Sequence, residues 1–144
     1  MSRLSGFVLA LVFFCVSSVA MADGASLTAL SVWENQRGSK LTIETIDPTT
    51  GVLTGNYINN AAGYGCIGSP YRVVGYVYGN LIGWSVRWSN AHEDCQSITS
   101  WTGYYQNGTI TTQWELVYGT QINDGADMFT SVAKRELQGL KLAQ

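Results

Sequence analysis

The chain has 144 residues, of which 46% are hydrophobic, with eight Lys and Arg, ten Asp and Glu, one His and a formal net charge of −2. That length allows one domain with a sizeable core and hardly two. The mild acidity, with basic residues clustered only in the tail around Lys134 and Arg135, excludes nucleic acid as a natural partner.

Arg3, the apolar run Phe7 to Val16 and the small-residue site Ala20-Met21-Ala22 before Asp23 form the charge, core and cleavage pattern of a secretory signal. Residues 1–22 are therefore expected to be removed after Ala22. The apolar run is too short to anchor the chain, since a membrane span takes ~20 apolar residues. The mature protein, residues 23–144, is expected to be secreted or periplasmic, with no membrane partner. It keeps seven basic and ten acidic residues, a net charge of −3. Cys15 leaves with the signal. Cys66 and Cys95 remain in an oxidising setting, where a disulfide is the default reading. In the chain-entropy account, a loop of that length is worth about 3.5 kcal/mol. No metal is expected, because His92 alone adds too few ligands to two cysteines.

From Leu30 onward the chain is a series of short runs rich in Val, Ile, Thr, Tyr and Trp, split by turn signals and lacking a helical period. The spacing predicts eight strands, over 30–36, 39–46, 51–58, 71–78, 81–88, 97–105, 109–118 and 127–136. An all-β, eight-stranded antiparallel up-and-down β-barrel is the architecture that suits them. Asp47 to Gly51, Gly79-Asn80 and Gln106-Asn107-Gly108 have the composition of tight hairpins and belong at one end. The other connections, Gln36 to Gly38, Asn59 to Pro70, Ser89 to Gln96 and Gly119 to Ala126, then gather at the opposite end. Three of those are long, which makes that end the expected mouth. The sequon-like Asn107-Gly108-Thr109 is accounted for by the turn.

The sixth strand carries the signal of a pocket. On one face it places Ser97, Thr99, Trp101, Gly103 and Tyr105, so that hydroxyls at the mouth give way to an indole one step deeper. Such a face suits either a pocket wall or an exposed polar surface. The polar residues of other strands favour the pocket, because Asn35, Ser39, Tyr57, Asn59 and Asp127 all fall at the mouth ends of their strands. Leu41, Ile43, Leu53, Trp84, Val86, Trp114, Leu116 and Phe129 share the inward parity and are core by default. Trp88, Trp101 and Trp114 suit either plain packing or an apolar box around a ligand.

Six fragments, in order, resemble the avidin family of biotin-binding β-barrels. They are Trp33-Glu34-Asn35-Gln36-Arg37-Gly38-Ser39, Leu53-Thr54-Gly55-Asn56-Tyr57, Gly83-Trp84-Ser85-Val86-Arg87-Trp88, Ser97-Ile98-Thr99-Ser100-Trp101-Thr102-Gly103, Thr112-Gln113-Trp114 and Asp127-Met128-Phe129. The cysteines in the three-four and five-six loops are most similar to those of the disulfide-bearing dimeric avidins of bacteria. The resemblance implies a Cys66–Cys95 bridge at the mouth, biotin as ligand and no separate cofactor. It implies that Asn35, Ser39 and Tyr57 donate to the ureido oxygen, and that Asp127 and Asn59 accept from the ring N–H groups. Thr99 would face the sulfur, Ser97 the valerate end, and Trp88, Trp101 and Trp114 would enclose ring and chain. Residues 115–126 contain no Trp to serve as the lid that tetrameric members lend to a neighbour, so a homodimer is the expected assembly.

Three other classes compete, of which a purely structural exported barrel would have little reason to line its mouth with seven polar groups. An enzyme would draw on His92, Glu93 and Asp94, but three successive polar residues in a loop read as a solvated turn, and no acid partner, nucleophile elbow or carboxylate pair accompanies Asp127. A carbohydrate-binding barrel would present its Trp residues on an open face, whereas here they share the parity of Asn35 and Tyr57.

Overall fold

The computed structural model describes residues 27–133. The expected signal, residues 1–22, and the tail after Arg135 lie outside the described residues. Eight antiparallel strands follow one another around a closed barrel: β1 (Ser31–Asn35), β2 (Lys40–Ile46), β3 (Val52–Ile58), β4 (Pro70–Tyr78), β5 (Leu81–Ser89), β6 (Asp94–Gln106), β7 (Thr109–Tyr118) and β8 (Gln121–Ser131). Each strand pairs with its sequence neighbours, and β8 closes on β1 through Trp33↔Ser131, Glu34↔Thr130 and Asn35↔Phe129. Among the described residues no helix is long and apolar enough to cross a membrane.

Period-two alternation decides which side chains fill the interior. In β4, Tyr71, Val73 and Gly75 are buried while Arg72, Val74 and Tyr76 face out. The same alternation in β5 buries Ile82, Trp84, Val86 and Trp88. Together with Leu41, Ile43, Leu53, Ile110 and Phe129 these make one core, which fills the barrel below its mouth. Trp84 and Trp101 lie opposite each other in the β5–β6 register and stack with ring centroids 5.5 Å apart. At the far end the β6–β7 hairpin turns through Asn107 and Gly108, both at positive φ, which is the geometry an Asn-Gly turn supplies.

Two strand starts differ from those predicted by more than one residue, and β8 ends at Ser131 instead of 136, with Val132 and Ala133 turning helical. β8 starts at Gln121 and not at 127, so the β7–β8 connection is a tight turn at Gly119-Thr120, and Asp127 lies inside the strand opposite Thr112. The cause is Gly125. In Asn123-Asp124-Gly125 the composition is that of a loop, yet the ladder holds these residues against Leu116, Glu115 and Trp114. A Cβ at position 125 would lie 2.5 Å from the Trp114 ring, so the glycine marks a close approach rather than a turn. β6 likewise starts earlier, at Asp94, because Gln96 adopts φ +47° beside the register shift between Arg87 and Ser89 and carries the strand through a bulge. The mouth therefore bears one long loop, residues 59–69, and not three.

Candidate functional site

At the mouth end, a cavity of about 550 Å³ opens among β1, β3, β5, β6, β7 and β8 and the connections after β1 and β3. All ten residues singled out from the sequence line it: Asn35, Ser39, Tyr57, Asn59, Trp88, Ser97, Thr99, Trp101, Trp114 and Asp127. Six of the seven polar ones are buried except for their cavity faces where the barrel opens, Tyr57 at 2% and Asp127 at 6% exposure among them, and Ser97 is half-buried. The barrel packs these polar groups inside, where a bond to a ligand faces little competition from water.

The sharp connection after β1 orients the first of them. Asn35 Oδ1 accepts from the backbone N–H of Ser39 at 2.9 Å and of Arg37 at 3.0 Å. This fixes the amide with its Nδ2 turned toward Tyr57, whose hydroxyl is 3.5 Å away. Ser39 Oγ accepts the Asn60 N–H at 2.9 Å and donates its own proton to Asn59 Oδ1 at a long 3.4 Å, a bond that a closer acceptor can take over. The Tyr57 phenol is held protonated: burial raises its pKa most, the negative charge of Asp127 raises it further, and Ser39 and Arg37 oppose more weakly. Three donors thus border one region of the cavity.

Two acceptors line the same cavity, one of them, Asn59, with its Oδ1 3.4 Å from Ser39 Oγ. Asn59 Nδ2 donates to Gly65 O at 3.0 Å, so its Oδ1 is the atom that accepts, already taking the Ala61 N–H at 3.0 Å. Asp127 takes the Trp101 indole N–H on Oδ2 at 3.0 Å and the Gln36 amide on Oδ1 at 3.1 Å. A carboxylate can accept further bonds beyond these two.

The aromatic wall is ordered by its own contacts. Tyr57 and Trp101 lie 4.8 Å apart with planes tilted by 32°, and Tyr57 meets Trp88 edge-on at 5.9 Å. Trp88 donates its Nε1–H to Thr99 Oγ1 at 2.7 Å, locking both side chains into the cavity wall. The three tryptophans left open between packing and a ligand box do both, since they belong to the core and line the cavity.

Cys66 and Cys95 are joined, with Cα atoms 6.3 Å apart, and both reach the cavity. The bridge ties the long loop to the start of β6. Glu93 comes close enough to the two sulfurs to complete a three-ligand group, but the bridge leaves no thiolate there for a metal. His92, Glu93 and Asp94 are exposed, and the Asn90 side chain accepts the backbone N–H groups of His92 and Glu93, which is a solvated turn.

Sequence reasoning missed several lining residues. Asn123 and Gln121 were hidden by the misplaced start of β8; counting back from Asp127 at period two reaches both. Arg37 and Tyr64 come from the connections after β1 and β3, where no periodicity points inward. Gln36 sits outside the cavity and touches it only through Asp127.

Residues 24–133 match the family model described as Avidin family. The chain belongs to the avidin family. Its members are non-catalytic biotin-binding proteins that need no cofactor. Afifavidin from Afifella pfennigii is 43% identical over 112 residues, which cover 72% of this chain and 69% of that one. Hoefavidin from Hoeflea phototrophica is 38% identical over 135 residues, 82% of each chain. Among solved structures, a single-substitution variant of shwanavidin in complex with biotin is 48% identical, with a TM-score of 0.71 over 74% of this chain and 98% of that one. The avidin-family resemblance and the eight-stranded barrel are thus both borne out.

Proposed function

We propose that this avidin-family barrel binds biotin tightly in the mouth cavity, as an exported homodimer. The observation that carries this is the gathering of three donors, Asn35, Ser39 and Tyr57, and two acceptors, Asp127 and Asn59, around one buried cavity. A cyclic urea presents the complement: one carbonyl oxygen that accepts and two N–H groups that donate. Donors converging on the oxygen draw charge onto it, and a carboxylate opposite strengthens the polarisation in a dry site. Trp88, Trp101 and Trp114 enclose the fused rings and chain, Thr99 faces the sulfur, and Ser97 at the rim meets the valerate end. Because Asn35, Ser39, Asn59 and Asp127 are already held by hydrogen bonds within the protein, little ordering is left to oppose binding. The shwanavidin complex with biotin supports the choice of ligand.

Export follows from the signal-like N-terminus, and the disulfide agrees with it. For the dimer, the outer faces of β6, β7 and β8 align Ile98, Val117 and Ile122 in one register row, exposed by 51%, 43% and 66%. An apolar row of that kind on a sheet face supports self-association.

Isothermal titration of the oxidised protein with biotin, beside Asp127→Ala and with desthiobiotin for comparison, tests the reading. Wild type is expected to bind tightly with one site per chain. Losing a hydrogen bond to a charged group weakens binding by roughly 10–100-fold, so Asp127→Ala should show at least that. Folded wild type that gives no heat and no thermal stabilisation with biotin would overturn the assignment. Sedimentation of the same sample decides between monomer and dimer.

A further inference from the structure

We infer that Gln36 is a positioning residue for the ligand, acting through Asp127; the inference rests on the biotin reading. Backbone pairing between β1 and β8 ends at Asn35↔Phe129, because the chain must leave the sheet to make the turn to Ser39. One step further on, β8 has no backbone partner on that side. The Gln36 side chain takes over. Its Oε1 accepts the Met128 N–H at 2.9 Å, and its Nε2 donates to Ala126 O at 3.1 Å. A primary amide reproduces the donor and acceptor of a peptide group, so this side chain extends the β1–β8 ladder past the point where the backbone departs.

The same Nε2 donates to Asp127 Oδ1 at 3.1 Å. The seam of the barrel and the acceptor of the site therefore share one amide. With Trp101 Nε1 on Oδ2, both carboxylate oxygens are held by neutral donors from opposite sides, Gln36 at the seam and Trp101 from the cavity wall. Charge-assisted bonds of this kind are strong and directional, and together they fix the plane in which Asp127 meets a ligand N–H. Gln36 is itself exposed and lines no part of the cavity, so it contributes no direct ligand contact. Its effect has to pass through the carboxylate.

The titratable side chains that share the cavity with Asp127 are Arg37 and three tyrosines, Tyr57, Tyr64 and Tyr118. Tyr57 keeps its proton through the acid and neutral range, its pKa raised first by burial and then by the charge of Asp127. A Glu at position 36 adds a second carboxylate against Asp127, and two such groups in contact hold one proton between them to a higher pH than either would alone. Below that shared pKa the protonated Glu donates to Asp127 as Gln36 does; above it, the two repel.

The test compares Gln36→Met, Gln36→Glu, Asp127→Ala and the double variant Gln36→Met/Asp127→Ala, all oxidised, for biotin dissociation rate and affinity. Gln36→Met is expected to weaken binding by roughly 10-fold in the wild-type background and by less than about 2-fold once Asp127 is gone, since the two act as one unit. Gln36→Glu should recover affinity relative to wild type on acidification toward pH 5. Equal losses in both backgrounds, or no loss, would overturn the inference. A readout free of biotin separates this from the functional reading. In ligand-free protein the Trp101 indole N–H resonance should move in Gln36→Met, while that of Trp88, bonded to Thr99, stays in place. If biotin does not bind wild type, the biotin reading falls and the indole resonance still decides whether Gln36 holds Asp127; an unmoved Trp101 signal overturns it.

Discussion

At the Tyr57 phenol, burial and the charge of Asp127 both oppose ionisation, and the pulls of Ser39 and Arg37 the other way are smaller. Tyrosines in an unfolded chain titrate near 10. With its folded pKa above that value, Tyr57 keeps its proton where the unfolded chain loses one. The stability it contributes is complete below about pH 10 and is lost as the pH rises beyond it. The donor to the ligand accordingly persists past the ordinary tyrosine range. Biotin affinity should stay flat from about pH 8 to about pH 10.5, measured by competition with a fluorescent biotin, and a loss centred on about 10 would show an ordinary phenol. The place of Tyr57 at the mouth is legible from its position at the end of a strand. The amide orientation of Asn59 is not, because it depends on Gly65 O and Ala61 N, which a loop without periodicity brings into reach.

The β7–β8 hairpin shows how an element can be misread while its chemistry is found. Asp127 was placed on the correct face because period two does not depend on where a strand begins. The start was wrong because Gly125 carries two meanings in a sequence, a turn or a close approach, and only the neighbour tells them apart. Here the neighbour is the Trp114 ring. Gly125→Ala should force that indole from its place, at a cost of about 1–3 kcal/mol typical of overpacking. Urea unfolding would measure the loss, and Trp114→Phe in the Gly125→Ala background should recover part of it. An alanine variant as stable as wild type would mean that the indole gives way freely. Biotin should also dissociate faster from Gly125→Ala, since the displaced ring is a wall of the cavity.

On the scale of the whole barrel, the ladder and the disulfide hold different things. The eight strand pairings close the barrel with no contribution from Cys66 or Cys95 to its far end. The bridge instead joins residues 29 apart in sequence, across the mouths of β4 and β5, and fixes the loop that supplies Asn59. That loop has bonds of its own: Asn60 N–H to Ser39 Oγ, Asn60 Nδ2 to Gly38 O, and Gly68 N–H to Asn59 O. Removing the bridge with Cys66→Ser/Cys95→Ser restores loop entropy to the unfolded chain and should lower stability by about 3.5 kcal/mol. The β-sheet signal in circular dichroism should survive, because the ladder is untouched. Biotin should dissociate roughly tenfold faster, since the loop is then ordered only on binding. If the bridge acts through Asn59, replacing that residue by Ala will cost less in the serine background than in the oxidised protein. Equal dissociation rates with and without the bridge would instead assign the shape of the mouth to the loop's own hydrogen bonds, and leave the disulfide a purely thermodynamic brace.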